Sequence, residues 1–196
     1  GEVYERLVLF GPLVTQGEWW RLVTGGFMHA SLIHLGSNML LLWFLAQELE
    51  PVLGKFRFSL LYAASLMGGS LGVMIMSPLS PTLGASGAVF GLMGGLIALQ
   101  LRAHHNPWNS GIGGLVLINL LLTFAIPGIS VGGHIGGLLA GAAAGALIQP
   151  LPWPQKDAAV RSAAVVALTI ALGVLGVLAA DHFVRAALTA RYGVPG

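Results

Sequence analysis

The chain has 196 residues, of which 56% are hydrophobic and only 8% charged, with a net charge of +2 and a mean hydropathy of +0.84. A soluble domain carries roughly 25% charged residues, so these charges are too few to cover a water-soluble globule, and the surrounding solvent is lipid. No basic cluster is present, which sets nucleic acid aside as a partner, and the lack of cysteine removes disulfides, thiolate catalysis and cysteine-based metal sites.

Residues 1–16 hold one short apolar run (7–14). It is too short to span a bilayer and lacks the flanks of a signal peptide. Residue 1 is Gly, so the chain reads as a fragment whose natural start lies upstream. Apolar runs close to the ~20 residues that cross a bilayer then recur at 32–49, 58–76, 84–101, 111–126, 132–148 and 163–180. None alternates as a strand does. Lipid demands that backbone groups be satisfied internally, so the predicted fold is all-α, a polytopic transmembrane helix bundle with six visible spans.

The breaks carry turn residues: Pro51 with Gly54, Pro78 with Pro81, Pro107 with Asn109, Pro127 with Gly128, then Pro150, Pro152 and Pro154. No domain boundary or repeat stands out, so 1–196 reads as a single domain. A short polar, frayed end is expected after Asp181.

Cationic residues set the orientation. Lys55 and Arg57 follow the first span, Arg102 the third, and Lys156 and Arg161 the fifth, while the links 77–83 and 127–131 have none. The charged links therefore face the cytoplasm, and the first, third and fifth spans all run inward. Arg6 and Arg21 near the start, and Arg185 and Arg191 in the tail, lie on the other side.

Polar groups inside a membrane are costly and are functional candidates by default. His34 and Asn38 open the first span, Ser86 the third and His134 the fifth. Because these spans run the same way, all four residues are expected at one depth, towards the outer side. Ser86 sits in Gly84-Ala85-Ser86-Gly87, which reads either as a helix N-cap beside glycine or as a nucleophile whose N–H is a free donor. His134 sits in Gly132-Gly133-His134-Ile135-Gly136-Gly137 and reads as a structural hydrogen-bonder or as a base. Gly87, Gly91 and Gly95 form one stripe and Gly137, Gly141 and Gly145 another, and such faces let helices approach closely. That approach would bring Ser86 to His134.

His34 and Asn38 share a helix face and could donate hydrogen bonds to developing negative charge, or act as polar glue. No carboxylate falls beside them, so a Ser-His dyad is simpler than a triad. Asp181 at the outer end of the last span could approach. His29, His34 and His134 lack the carboxylate or thiolate that a metal site would need, and no metal or other cofactor is expected.

These residues carry a family resemblance. Trp20-Arg21 and Thr24, the run 27–34 ending in His34, then Asn38, the Gly84-Ala85-Ser86-Gly87 segment, and Gly133-His134-Ile135-Gly136-Gly137 resemble, in this order and on alternate spans, the motifs of the rhomboid intramembrane serine proteases. The resemblance covers about Glu18 to Gly145, within a motif-bearing core of about 18–149, and implies roles. Ser86 would be the nucleophile and His134 its base. His34, Asn38 and the Ser86 N–H would form an oxyanion hole. Gly84, Gly87 and Gly137 would support them, with Phe90 at a position where the family carries an aromatic packed on the histidine. Trp20-Arg21 would hold the outer loop.

The resemblance further implies transmembrane protein substrates cut in or near the bilayer, and a multi-pass protein of a bacterial plasma membrane with its site towards the outside. The family's usual first span is missing here, and 163–180 would be an additional C-terminal one. Two rivals remain: a catalytically inactive relative that binds membrane helices, and a small transporter. Transporters show repeats and broken helices, and neither is evident.

Overall fold

Leu-, Ala- and Gly-rich runs build helices throughout. The computed structural model describes residues 1–148 and 157–193. In chain order these form α1 (Glu2–Leu7), α2 (Gly11–Val14), α3 (Arg21–Thr24), a 3-10 turn (Gly25–Phe27), α4 (Leu32–Met76), α5 (Ser86–Arg102), α6 (Ile112–Ala125), α7 (Val131–Ile148) and α8 (Ala158–Tyr192). Among the described residues the one β feature is an isolated bridge between Leu9 and Thr82. The predicted helical bundle is therefore what forms. The helices α4, α7 and α8 are long and apolar enough to cross a membrane, while α5 and α6 are shorter apolar helices. Large apolar side chains such as Ile33, Trp43, Phe124 and Leu139 face outward, as lipid requires and water would not favour.

The predicted break at 50–57 shrinks to one residue. Pro51 is accommodated within α4, and only Gly54 leaves helical geometry, at φ 72 and ψ 159. Such a left-handed φ suits glycine because it has no Cβ to clash. The second arm of α4 (55–76) folds back from this point, since Ser70 Oγ donates to the Leu22 carbonyl at 2.6 Å, just upstream of the first arm (32–53). Lys55 and Arg57 thus begin a helical arm and do not lie in a loop.

The tail also departs from expectation. Among the described residues, which reach Gly193, no frayed end follows Asp181, because α8 continues to Tyr192. Its later residues include good helix formers. Asp181 pairs with Arg185 one turn on, acid before base as helices favour, and Gly193 supplies the left-handed C-cap. At 1.5 Å per residue, α8 is about 52 Å long, well over the ~30 Å hydrocarbon core. The predicted turn at Pro150, Pro152 and Pro154, the cation Lys156 and the predicted core end at 149 lie outside the described residues.

Helices α4, α5 and α7 meet at small residues. A Cβ on Gly137 or Gly141 would run into the backbone of Gly87 or Gly91, and one on Gly145 would lie 2.8 Å from the Gly95 Cα. The two stripes read from the sequence thus face each other across α5 and α7. A third, not recognised in the sequence, runs along the second arm of α4, where Gly68 and Gly72 lie against Gly136 and Gly132. Helix α6 stands at the edge, with only Ile112, Val116 and Thr123 buried.

The N-terminal segment is stitched to the loop before α5. Leu9 and Thr82 exchange backbone hydrogen bonds of 3.0 and 2.8 Å, Gly11 N donates to the Pro78 carbonyl at 3.0 Å, and Gly84 N donates to the Gly25 carbonyl at 3.0 Å. Arg21 anchors this segment from a buried position, donating through Nη1 to the Val8 carbonyl at 2.8 Å and through Nε to Glu18 at 2.6 Å. Trp20 beside it is exposed.

Candidate functional site

Ser86 is the first residue of α5, and Ala85 takes the cap position with no side-chain capping bond. A first-turn N–H has no intrahelical carbonyl to bond, so the Ser86 N–H is an available donor. The hydroxyl is not used for capping. It meets His134 Nε2 at 2.8 Å across the α5–α7 contact. The glycine stripes explain this reach. With Gly87 against Gly137 the helix backbones nearly touch, and Ser86 at the start of α5 and His134 in the first turn of α7 can bond.

His134 is held on two further sides. Phe90 lies flat on the imidazole, with centroids 4.1 Å apart and planes 17° apart. Thr123 Oγ1, from α6, lies 2.7 Å from Nδ1. His134 and Thr123 are both buried. The sequence reading missed Thr123, although it is a hydroxyl within an apolar span and so carried the same signal as Ser86. Asp181 does not approach; it pairs with Arg185 at 2.8 Å on an exposed stretch of α8.

His34 belongs to the first turn of α4, where Ser31 caps the helix by accepting from the His34 N–H at 3.1 Å. Its Nδ1 accepts from the Ala30 N–H in a long bond of 3.5 Å. A neutral imidazole that accepts at one nitrogen donates at the other, so Nε2–H is the free donor. Gly84 marks the meeting point. A Cβ built there would lie 2.9 Å from His34 Nε2 and 3.8 Å from Ser86 Oγ. Gly84 is also at φ +125, a conformation side chains resist, so both backbone and space call for glycine.

Asn38 is buried on the same face. One of its amide hydrogens bonds the His34 carbonyl at 2.8 Å, and a primary amide has a second. His29 stands edge-on to His34, with centroids 5.2 Å apart, and its buried Nε2 has no hydrogen-bond partner. His104, His105 and His182 are exposed.

Ser86, His134, His34, Asn38, Phe90 and Thr123 all line one cavity of about 650 Å³. This is within the ~300–1,000 Å³ of ordinary ligand sites, and its polar groups can hold water in an otherwise apolar bundle. A hydroxyl bonded to an imidazole, a free backbone N–H and a second imidazole N–H within one pocket form the set that acyl transfer uses.

A family model described as Rhomboid domain matches residues 16–151. The rhomboid protease GluP of Bacillus subtilis (strain 168) is 38% identical over 138 residues, covering 67% of this chain and 27% of that protein. RHOMBOID-like protein 4 of Arabidopsis thaliana is 32% identical over 130 residues, covering 63% of this chain and 32% of that protein. RHOMBOID-like protein 1 of the same plant is 41% identical over 86 residues, covering 44% of this chain and 22% of that protein. The chain therefore spans less than half the length of these relatives.

Proposed function

The chain belongs to the rhomboid family, and we propose that it is an intramembrane serine endopeptidase that hydrolyses peptide bonds in or near transmembrane segments of substrate proteins. The observation that carries this reading is the 2.8 Å bond between Ser86 Oγ and His134 Nε2, formed by two residues 48 apart on separate helices. A polar pair inside a bundle with so few charges is costly unless it is used.

In this reading the substrate segment enters the cavity from the bilayer and unwinds to present a carbonyl to Ser86. His134 Nε2 takes the hydroxyl proton as Oγ attacks, then gives it to the departing amine. The Ser86 N–H, His34 Nε2–H and the second Asn38 amide hydrogen stabilise the oxyanion. Water from the cavity, activated by His134, hydrolyses the acyl-enzyme and frees Ser86. Gly84, Gly87 and Gly137 keep the backbone close enough for these distances, and Phe90 keeps the imidazole plane. Residues 1–196 act as one transmembrane domain. Its motif-bearing core is about 18–149, followed by an additional span, and the site faces the outer side because Lys55, Arg57 and Arg102 mark the cytoplasmic end.

The test is cleavage of a transmembrane substrate in liposomes by the parent and by Ser86→Ala. Cleavage that disappears in the variant is the expected result. Activity persisting in Ser86→Ala would remove Ser86 as nucleophile. A folded parent that cuts nothing, yet binds transmembrane segments, would instead make this an inactive family member that recognises helices.

A further inference from the structure

Thr123 is the buried polar side chain of α6, a helix whose flanks are otherwise turned largely outward. Its Oγ1 has two neighbours at 2.7 Å, the Asn119 carbonyl one turn back and His134 Nδ1. A carbonyl can only accept, and a hydroxyl carries one hydrogen. That hydrogen goes to Asn119. A second oxygen at 2.7 Å with no hydrogen between would be repulsive. Oγ1 therefore meets Nδ1 with a lone pair, and Nδ1 must carry the proton.

A neutral imidazole with its proton on Nδ1 has a bare Nε2. Nε2 is the nitrogen that faces Ser86 Oγ at 2.8 Å. The chain Asn119 carbonyl, Thr123 hydroxyl, His134 ring and Ser86 hydroxyl thus runs in one direction. We propose that Thr123 is the positioning residue for His134. It holds the imidazole in the tautomer able to accept the serine proton, the task an uncharged dyad would otherwise leave undone. In a Ser-His-Asp triad a carboxylate does this by bonding Nδ1–H. Here a hydroxyl does it without placing a charge in the bilayer, where a charge is costly. Phe90 fixes the ring plane and Thr123 fixes the rotation within that plane.

Because Thr123 comes from α6 and the dyad from α5 and α7, catalytic competence is tied to α6 lying against α7. This inference rests on the protease reading above, and its test is separable from that reading.

The experiment uses the full chain in liposomes with Thr123→Val, which keeps the shape and removes the hydroxyl, and Thr123→Ser, which keeps the hydroxyl. Nitrogen NMR of histidine-labelled protein, with His134→Ala to assign the signal, reads the tautomer directly. The parent and Thr123→Ser are expected to show a protonated Nδ1 and a bare Nε2, and Thr123→Val a mixture. The kcat of Thr123→Val is expected to fall roughly ten- to a hundredfold with KM little changed, a part of the 10²–10⁴ that a positioned base contributes, while Thr123→Ser stays close to the parent. A proton on Nε2 in the parent would overturn the proposal, as would a Thr123→Val protein with unchanged tautomer and kcat. Equal losses in both variants, with lowered thermal stability, would make Thr123 structural and overturn it too. If the parent cleaves nothing, the protease reading fails while the tautomer measurement still decides the role of Thr123.

Discussion

The Gly137 Cα faces the Gly87 carbonyl so closely that a methyl group on Gly137 would occupy the carbonyl's own space. This contact lies beside the bond between Ser86 and His134, so the helix separation that packing sets there is the separation the proposed chemistry would use.

Substituting Gly137 should therefore damage the site through geometry. Overpacking a tight core costs about 1–3 kcal/mol, and no flexible side chain is available to yield here. Gly137→Ala is expected to lower thermal stability and to abolish most cleavage, and Gly137→Val to be worse on both counts. Melting in detergent and substrate cleavage check this. An alanine variant with parental activity would show that α5 and α7 have slack.

Gly84→Ala separates strain from stability. The new methyl would lie 2.7 Å from His34 Cε1 at a backbone φ of +125. A strained residue of this kind costs of order 1–3 kcal/mol. The expected outcome is a folded protein with strongly reduced kcat, since His34 is pushed aside, measured by cleavage and by labelling of Ser86 with a serine-reactive probe.

Phe90→Leu keeps apolar bulk but loses the stacked ring. Aromatic pairs contribute about 0.5–1.5 kcal/mol beyond their buried area. Stability should fall by about that amount, and kcat more than KM should suffer as the His134 plane loosens. Phe90→Tyr, which keeps the ring, should stay nearer the parent. Equal kcat in Leu and parent would remove Phe90 from the site's support.

Arg21→Ala removes the buried member of an ion pair whose other member, Glu18, is part-exposed, so the loss is expected to fall below the about 3–5 kcal/mol of a fully buried pair. The Val8 carbonyl and Glu18 lose their donor, and the segment that anchors the loop before Ser86 loosens. Thermal stability is expected to drop markedly. Arg21→Lys should recover only part, because an ammonium lacks the planar fork that reaches both acceptors. Full recovery by Lys would mean that charge alone matters.

Much of this was legible in the chain itself. Run lengths and sparse charge dictate helices in lipid, because backbone polar groups have no other partner there. The glycines at four-residue spacing announce which faces of α5 and α7 meet. Ser86, His134, His34 and Asn38 stand out because polar groups are few, and same-direction spans put them at one depth.

Other features were decided only when the helices packed. Spacing along a helix tells a residue's face and depth, but not which neighbour it will turn towards. Thr123 joins His134 because α6 lies beside α7, a lateral arrangement set by packing over whole helix surfaces. The Gly68–Gly72 face on α4 gained its meaning in the same way, from the third helix that fits there. The turn at Gly54 and the extension of α8 past Asp181 depended on local geometry that proline and polar content alone misjudged: one left-handed glycine sufficed to reverse the chain, and an ion pair with good helix formers carried α8 on to Gly193.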